Sequence, residues 1–98
     1  MKFSEKVYKL CKKIPKGKVS TYGEIAKKLD SKAYRAVGQA LNKNPYAPDV
    51  PCHRVVNSKG ELHGFALGLK NKAKLLEKEG IKIKNSKIQD FEEISYKF

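Results

Sequence analysis

The chain has 98 residues, which suffice for one domain with a modest core and leave no room for a separate cofactor domain. It has no long apolar run, no signal peptide and no CxxC or HxxxH spacing, which excludes a membrane span and a familiar zinc site and indicates a cytoplasmic protein. Lysine and arginine outnumber aspartate and glutamate by 22 to 10, and residues 1–48 carry twelve basic against three acidic residues. This surplus favours a polyanionic partner, most simply nucleic acid, over a surface that lysine merely solvates.

The first predicted element is an amphipathic helix over residues 3–14. Its apolar stripe recurs at spacings of three and four residues and consists of Phe3, Val7, Leu10, Cys11 and Ile14. On this stripe, Cys11 is interpreted as a small core residue. The segment Pro15–Lys18 then forms a turn, and a short extended piece follows at residues 19–20.

A pair of short helices is predicted next. Thr21 and Glu24 have the spacing of a capping box, in which the threonine hydroxyl accepts a hydrogen bond from the Glu24 amide. The first helix turns Ile25, Ala26 and Leu29 inward. Asp30 and Ser31 end it and offer an N-cap to a second helix over residues 32–43, whose apolar face is Ala33, Val37, Ala40 and Leu41. A basic second helix with several small residues favours a DNA-binding helix-turn-helix over two ordinary packed helices.

The segment Pro51–Val55 carries the reactive groups. Cys52 directly precedes His53, and Arg54 follows. The thiolate is the reactive form of cysteine, nearby positive charge favours it, and imidazole is the usual acceptor of the thiol proton. The dipeptide alone is interpreted more simply as a buried structural cysteine beside a surface histidine, so the chemistry depends on the surrounding sequence.

The rest of the chain is predicted as a hairpin, a helix and a polar tail. Residues 55–62 form the hairpin, which would be the wing of a winged helix-turn-helix, and residues 69–79 form a helix that Gly80 ends. Glu79 lies three residues beyond Leu76, near the inward face, where a carboxylate needs a partner. Residues 81–83 suggest a short strand, and the tail over 84–98 either docks on the domain or is partly disordered. The predicted fold class is therefore mainly α with a short β-hairpin.

The order of these parts resembles the catalytic domain of the O6-alkylguanine-DNA alkyltransferase family. The resemblance covers residues 3–80 and is carried by Lys18–Gly23, Arg35–Gly38, Asn44–Pro45, Pro51–Val56 and Leu75–Gly80. It implies a single catalytic and DNA-binding domain over residues 1–98. The chain begins directly in the first helix, so we expect a minimal transferase or an isolated domain.

The resemblance also implies a mechanism. Cys52 would attack the alkyl carbon on O6 of guanine and keep it as a thioether, so that each molecule reacts once. His53 would relay the thiol proton through water, Glu79 would orient His53, and Tyr22 would donate its hydroxyl toward guanine N3. No cofactor or metal is implied. The expected partner is double-stranded DNA that contains O6-alkylguanine, and the protein is expected to be a monomer associated with the nucleoid.

Further site residues follow from the same resemblance. The recognition helix would enter the minor groove, with Arg35 filling the gap left by the extruded base and with further DNA contacts from Lys32, Ala36, Gln39 and Asn42. Support for the active-site segment would come from Asn44, Pro51 and Arg54. The base pocket would be lined by Val55, Phe65, Ala66 and Leu67. Family members often carry Tyr at position 65 and Gly at position 67, and the larger Leu67 predicts a narrower pocket that favours methyl groups.

Three rival functions remain open from the sequence. The first is a lesion-binding protein without transfer, like the alkyltransferase-like proteins, which share the fold but lack the acceptor cysteine; the presence of Cys52 argues against it. The second is a winged-helix regulator in which Cys52 is buried and inert. The third is a cysteine hydrolase, which needs an oxyanion hole that the sequence does not clearly show.

Overall fold

The protein is mainly helical with short strands, which confirms the predicted fold class. The computed structural model describes residues 2–43, 49–62 and 69–98, the side chain of Leu69 excepted. Its elements are α1 Phe3–Cys11, β1 Ser20–Thr21, α2 Tyr22–Lys28, α3 Tyr34–Asn42, a 3-10 turn at Cys52–Arg54, β2 Val55–Val56, α4 Leu69–Lys78, β3 Ile83–Lys84, β4 Lys87–Ile88 and α5 Phe91–Ile94. The predictions for Asn44, Phe65, Ala66 and Leu67 lie outside the described residues.

Helix α1 is shorter than predicted. It buries Val7, Leu10 and Cys11, but Phe3 is 37% exposed, so its assignment to the apolar stripe is wrong. The chain tightens after Cys11, where the Ile14 amide donates to the Cys11 carbonyl at 3.1 Å. This turn returns Ile14 to the core, where it is 1% exposed.

The helix-turn-helix forms as predicted, with a later start to its second helix. The Thr21 hydroxyl accepts a hydrogen bond from the Glu24 amide at 3.0 Å, so this predicted hydrogen bond of the capping box is confirmed. Helix α3 begins at Tyr34 instead of residue 32, because Ser31 accepts from the Ala33 amide at 3.0 Å and Ala33 has a non-helical ψ of 52°. Lys32 therefore precedes the helix, and Ala33 is exposed instead of facing the core.

The strand pairing differs from the predicted hairpin over residues 55–62. Strand β2 pairs in parallel with β1, with Ser20 opposite Val55 and Thr21 opposite Val56. Both valines are fully buried, so β2 needs a partner within the core and not a solvent-exposed wing. The turn itself forms, since the Gly60 amide donates to the Asn57 carbonyl at 3.0 Å and Gly60 has a φ of +76°.

The antiparallel hairpin lies later in the chain, in the predicted polar tail. Strands β3 and β4 pair Ile83 with Ile88 across Asn85 and Ser86. These two residues have φ values of 53° and 59°, the backbone of a tight turn between twisted strands. The hairpin also contacts the preceding chain, because the Leu62 amide donates to the Ser86 carbonyl and the Ile88 amide to Gly60, both at 2.8 Å.

The tail docks on the domain, which settles the alternative that the sequence left open. Val19 accepts from the Tyr96 amide at 2.7 Å and donates to the Ile94 carbonyl at 3.0 Å. Phe91 lies against Gly60 so closely that a Cβ there would meet its ring at 3.0 Å. Residues 91–98 thus cover strand β1 and the 57–60 turn.

The buried side chains form two neighbouring clusters. The first joins α1, α2 and α3 to the Cys52 turn; its members include Val7, Ile14, Ile25, Val37, Leu41, Cys52 and Val55. The second lies beneath the tail and consists of Val19, Val56, Leu62, Leu76, Ile81 and Ile88. In the ranges that the structure describes, no helix has both the length and the apolarity needed to cross a membrane.

Candidate active site

Cys52 begins a single 3-10 turn and not a strand. The turn is closed by hydrogen bonds from the Cys52 amide to the Val50 carbonyl at 2.8 Å and from the Arg54 amide to the Pro51 carbonyl at 2.9 Å. Consecutive side chains on such a turn point about 120° apart. Cys52 therefore packs into the first core cluster while His53, also 3% exposed, points toward the end of α4.

A buried carboxylate meets His53 and Arg54. Glu79, the first residue after α4, accepts from His53 Nε2 at 2.8 Å through Oε2. Arg54 grips both oxygens of the same carboxylate, with Nε 2.9 Å from Oε1 and Nη2 2.7 Å from Oε2. Its Nη1 donates to the Ile14 carbonyl at 2.8 Å, which ties the group to the end of the first helical segment. The inward-facing carboxylate thus has the partner that its position predicts.

These contacts determine which ring nitrogen of His53 carries a hydrogen and whether the ring is charged. Burial would raise the pKa of Glu79, but hydrogen bonds from Arg54 and His53 outweigh it and hold that pKa below its ordinary value. An ionised carboxylate only accepts hydrogen bonds, so Nε2 of His53 carries a hydrogen. Burial lowers the pKa of His53 despite the bond to Glu79. The imidazole is therefore neutral near pH 7, and Nδ1 is the nitrogen able to accept a proton.

A buried lysine completes the polar group. Lys72 on α4 has no exposed surface, and its Nζ donates to the Val55 carbonyl at 2.6 Å. The ammonium lies 5.9 Å from the centre of the Tyr22 ring, within cation–π range. Burial lowers the pKa of Lys72 to about 8, although attraction to the Cys52 and Cys11 sulfurs opposes the shift. Because such attraction is mutual, the ammonium favours a thiolate at Cys52.

Tyr22 joins the buried group to an open cleft. Its ring packs over Gly38, where a Cβ would lie 3.8 Å from Cδ1 of the ring. Burial first, and then the Cys52 and Cys11 thiols, raise the pKa of Tyr22, so that its hydroxyl stays protonated. The cleft has a volume of about 490 Å³ and is lined by Tyr22, Tyr34, Arg35, Gly38, Gln39, Asn42 and Asn57. None of these described lining residues is acidic.

The sequence model of the 6-O-methylguanine DNA methyltransferase DNA-binding domain matches residues 2–81. The chain belongs to this methyltransferase family. It is 53% identical over 78 residues to the methylated-DNA–protein-cysteine methyltransferase of Methanosarcina mazei, a match that covers 79% of this chain and 49% of the relative. It is 42% identical over 83 residues to a bifunctional methyltransferase/endonuclease of Picrophilus torridus, covering 84% and 28%. The chain thus spans about half the length of the methanogen relative.

Two solved structures share the fold of this methyltransferase-family chain. Mycobacterium tuberculosis OGT in complex with DNA superposes with a TM-score of 0.77 at 44% identity, over 81% of this chain and 50% of that protein. Schizosaccharomyces pombe Atl1, in complex with damaged DNA that contains O6-carboxymethylguanine, superposes with a TM-score of 0.83 at 36% identity. That second match covers 98% of this chain and 95% of Atl1, so it includes the docked tail.

The predicted site residues fall into two groups in space. Cys52, His53, Arg54 and Glu79 lie together beside Pro51, which is buried, and Val55, which belongs to the core. Tyr22, Arg35, Gln39 and Asn42 share the cleft, whereas Lys32 and Ala36 are outside its lining. The functional roles assigned to these residues stay predictions. No cluster of three His, Cys, Asp or Glu side chains suited to a metal occurs among the described residues.

Sequence reasoning missed Lys72. The periodicity that places Glu79 three residues after Leu76 also places Lys72 four residues before it, on the same inward face of α4. A lysine within an apolar stripe is a signal of the same kind as an inward carboxylate, because a buried charge needs a compensating contact. The surrounding lysines at positions 70, 74 and 78 concealed it.

Proposed function

We propose that the chain is an O6-alkylguanine-DNA alkyltransferase whose single domain, over residues 1–98, transfers the alkyl group of a damaged guanine in duplex DNA to Cys52. One observation carries the proposal. The neutral imidazole of His53 follows the thiol in the same turn, and Glu79 fixes its Nε2 as a donor at 2.8 Å. That tautomer makes Nδ1 a base for the thiol proton, which is what activation of a cysteine nucleophile needs.

The transfer then proceeds in one displacement. The thiol proton leaves Cys52 for Nδ1 of His53 through a water molecule, and the thiolate forms a bond to the alkyl carbon. The bond between that carbon and O6 breaks, and its electron pair stays on guanine. Tyr22 donates its proton to guanine N3 and is reprotonated from the imidazolium through solvent. The net result is a thioether on Cys52 and a neutral guanine, with no reactant that regenerates the thiol.

Lys72 stabilises the negative charge that develops during this reaction. Its buried ammonium lies 5.9 Å from the centre of the Tyr22 ring, and attraction to a negative charge on Cys52 would raise the pKa of Lys72. A positive charge in a water-poor site stabilises developing negative charge more strongly than it would in water. In contrast, burial and the neighbouring Cys52 raise the pKa of Cys11 to about 12, so that the second thiol is a poor nucleophile.

The exposed side of α3 handles the DNA in this proposal. An alkyl carbon on O6 is out of reach inside stacked bases, so the damaged nucleotide must leave the helix. Arg35 lies exposed on α3 within the Tyr22 cleft and would occupy the space left behind. The solved relatives bound to DNA and to DNA containing O6-carboxymethylguanine support DNA as the partner. Minor-groove contacts read sequence poorly, which suits damage that occurs at any position.

The test is one incubation with duplex DNA that contains O6-methylguanine, followed by intact-mass and peptide analysis. We expect one methyl group per protein molecule, on the Cys52 peptide, and no turnover with excess DNA. Cys52→Ser should remove the adduct, while Cys11→Ser, the matched control, should retain it. An adduct on another residue, or repeated turnover, would show that the proposed acceptor chemistry is wrong.

A second candidate is recognition of damaged DNA without transfer. It is favoured by the likeness to Atl1 over nearly the whole length of both chains, tail included. In that case the protein would bind methylated duplex more tightly than undamaged duplex, and the Cys52 peptide would stay unmodified. The same mass measurement, combined with a binding titration, therefore separates the two candidates.

A further inference from the structure

An exposed aromatic residue stands at the start of the DNA-facing helix. Tyr34 is the first residue of α3, is 55% exposed and directly precedes Arg35. Among the described residues the other exposed large hydrophobic side chain is Phe3, at 37%, and Phe3 is outside the cleft lining. Tyrosine combines an apolar ring with a polar hydroxyl and is enriched at interfaces, so Tyr34 is a candidate contact for a partner of this helix.

The cleft beside Tyr34 has the size and charge for a nucleotide base. Its volume is about 490 Å³, and its described lining combines one cation, Arg35, with three amide side chains and two aromatic rings. Tyr34 and Gly38 are four residues apart and so lie on one side of α3, whereas Arg35 lies about 100° around the helix axis. Gly38 has no side chain, so the Tyr22 ring can pack against it and line the cleft together with the Tyr34 ring.

Extrusion of a damaged guanine creates two vacancies, and one long side chain fills only one of them. The nucleotide leaves a gap in its own strand, and the opposite base loses its pairing partner and part of its stacking. Aromatic side chains bind unpaired bases by stacking on their faces without regard to base identity. This requirement matches a ring that borders the same cleft as the gap-filling arginine.

We propose that Tyr34 stacks on the unpaired base of the complementary strand and thereby makes the protein selective for damage in duplex DNA. The proposal rests on the proposed function, in which a guanine is extruded and Arg35 replaces it. Arg35 and Tyr34 then contact different strands of the duplex. The lesion strand receives the guanidinium, and the complementary strand receives the ring.

The experiment measures equilibrium binding in a Cys52→Ser background, so that methyl transfer does not alter the DNA during the titration. Two duplexes with O6-methylguanine are compared, one with cytosine opposite the lesion and one with an abasic site there. We expect Tyr34→Ala to weaken binding to the first duplex about tenfold, within the range for loss of one stacked base. Binding to the abasic duplex should change by less than about twofold, because no base is left to stack.

Two controls make the result specific. Tyr34→Phe retains the ring and should bind like the parent. Phe3→Ala removes an exposed ring outside the lining of the cleft and should have no effect on either duplex. Equal losses on both duplexes would assign Tyr34 to the DNA backbone and overturn the proposal, as would no loss on either. Because binding is measured without transfer, a wild-type protein that fails to methylate itself would refute the proposed function and leave this test intact.

Discussion

The buried polar group around Cys52 and the Tyr22 cleft beside α3 differ in how their polar side chains are exposed and paired. Around Cys52, charged side chains are enclosed and each makes defined contacts, as the two-pronged grip of Arg54 on Glu79 shows. On α3, Arg35, Gln39 and Asn42 are exposed, and no acidic side chain lines the described cleft. The contacts of the first region are formed within the protein itself, and the second region is an open surface that the proposed function assigns to DNA.

Because of this difference, substitutions in the buried region should affect stability, whereas substitutions on α3 should affect recognition alone. Removing one member of an enclosed ion group leaves its partners buried and uncompensated, so that folding and chemistry suffer together. Removing an exposed side chain from α3 leaves the core unchanged and alters only what the helix can hold. Substitutions in the two regions should therefore give different patterns of effects, and the following experiments test that expectation from the largest effect to the smallest.

The largest effect is expected from Glu79→Gln. The amide no longer compensates the Arg54 charge or fixes the tautomer of His53, so single-turnover methyl transfer should slow about 100-fold. The free energy of unfolding should fall by roughly 3 kcal/mol, measured by urea denaturation. Glu77→Gln changes an exposed neighbour on α4 and is the control. Transfer at the wild-type rate in Glu79→Gln would remove Glu79 from the mechanism.

Lys72→Met should reduce both methyl transfer and stability, as expected for a member of the buried region. Loss of the ammonium near Cys52 should slow transfer about tenfold, since one preorganised electrostatic contact is lost. The melting temperature should also fall, because the Val55 carbonyl loses the ammonium that donates to it at 2.6 Å. The control is Lys74→Met, which alters an exposed position on the same helix. Unchanged transfer would limit Lys72 to a packing role.

Arg35→Ala tests the exposed region. Transfer from duplex DNA should slow about tenfold because the gap in the lesion strand is no longer filled. Transfer from free O6-methylguanine and the melting temperature should both stay unchanged. Lys32→Ala removes an equal charge outside the cleft lining and should affect only the affinity for DNA. Equal slowing on duplex and free base would contradict the role of Arg35 as a replacement for the extruded nucleotide.

Mild acid should produce the smallest effect, and only through the buried region. The pKa of His53 is below 6.5 in the folded protein, so the unfolded chain binds this proton first and stability declines as the pH falls through that value. The pKa of Glu79 is also lowered, which adds a further decline below pH 4.5. Urea midpoints at pH 7.5, 6.0 and 5.0 measure the first step. His53→Gln should flatten it and His63→Gln should not; the reverse would refute the assignment.

Periodicity and turn chemistry predicted the helical framework well, because these are local properties. The Thr21 cap, the buried Val37 and Leu41, and the glycine stop after α4 follow from spacing alone. At Gly80, with a φ of +88°, the Ile81 amide donates to Leu76 at 3.1 Å.

Local errors were confined to the ends of α1 and α3, and the larger error arose where distant segments meet. Val55 and Val56 pair in parallel with residues 20–21, and no local pattern distinguishes that partner from a hairpin. Lys72 was missed for a different reason, because the spacing that places it on the inward face of α4 was concealed by the lysines at positions 70, 74 and 78. Arg54 was predicted to support the segment, but its simultaneous hold on Glu79 and on the Ile14 carbonyl is a product of the tertiary fold.

The docked tail has a practical meaning for anyone who trims this protein. The sequence model of the family matches residues 2–81, yet Val19 exchanges backbone hydrogen bonds with Ile94 and Tyr96, and Phe91 rests on the Gly60 turn. A fragment that ends at residue 81 would lose these contacts and expose strand β1. Thr21 of that strand is the N-cap of α2, so the position of Tyr22 depends on it. The stretch that folds as one unit thus includes the docked tail and is longer than the stretch that the family model matches.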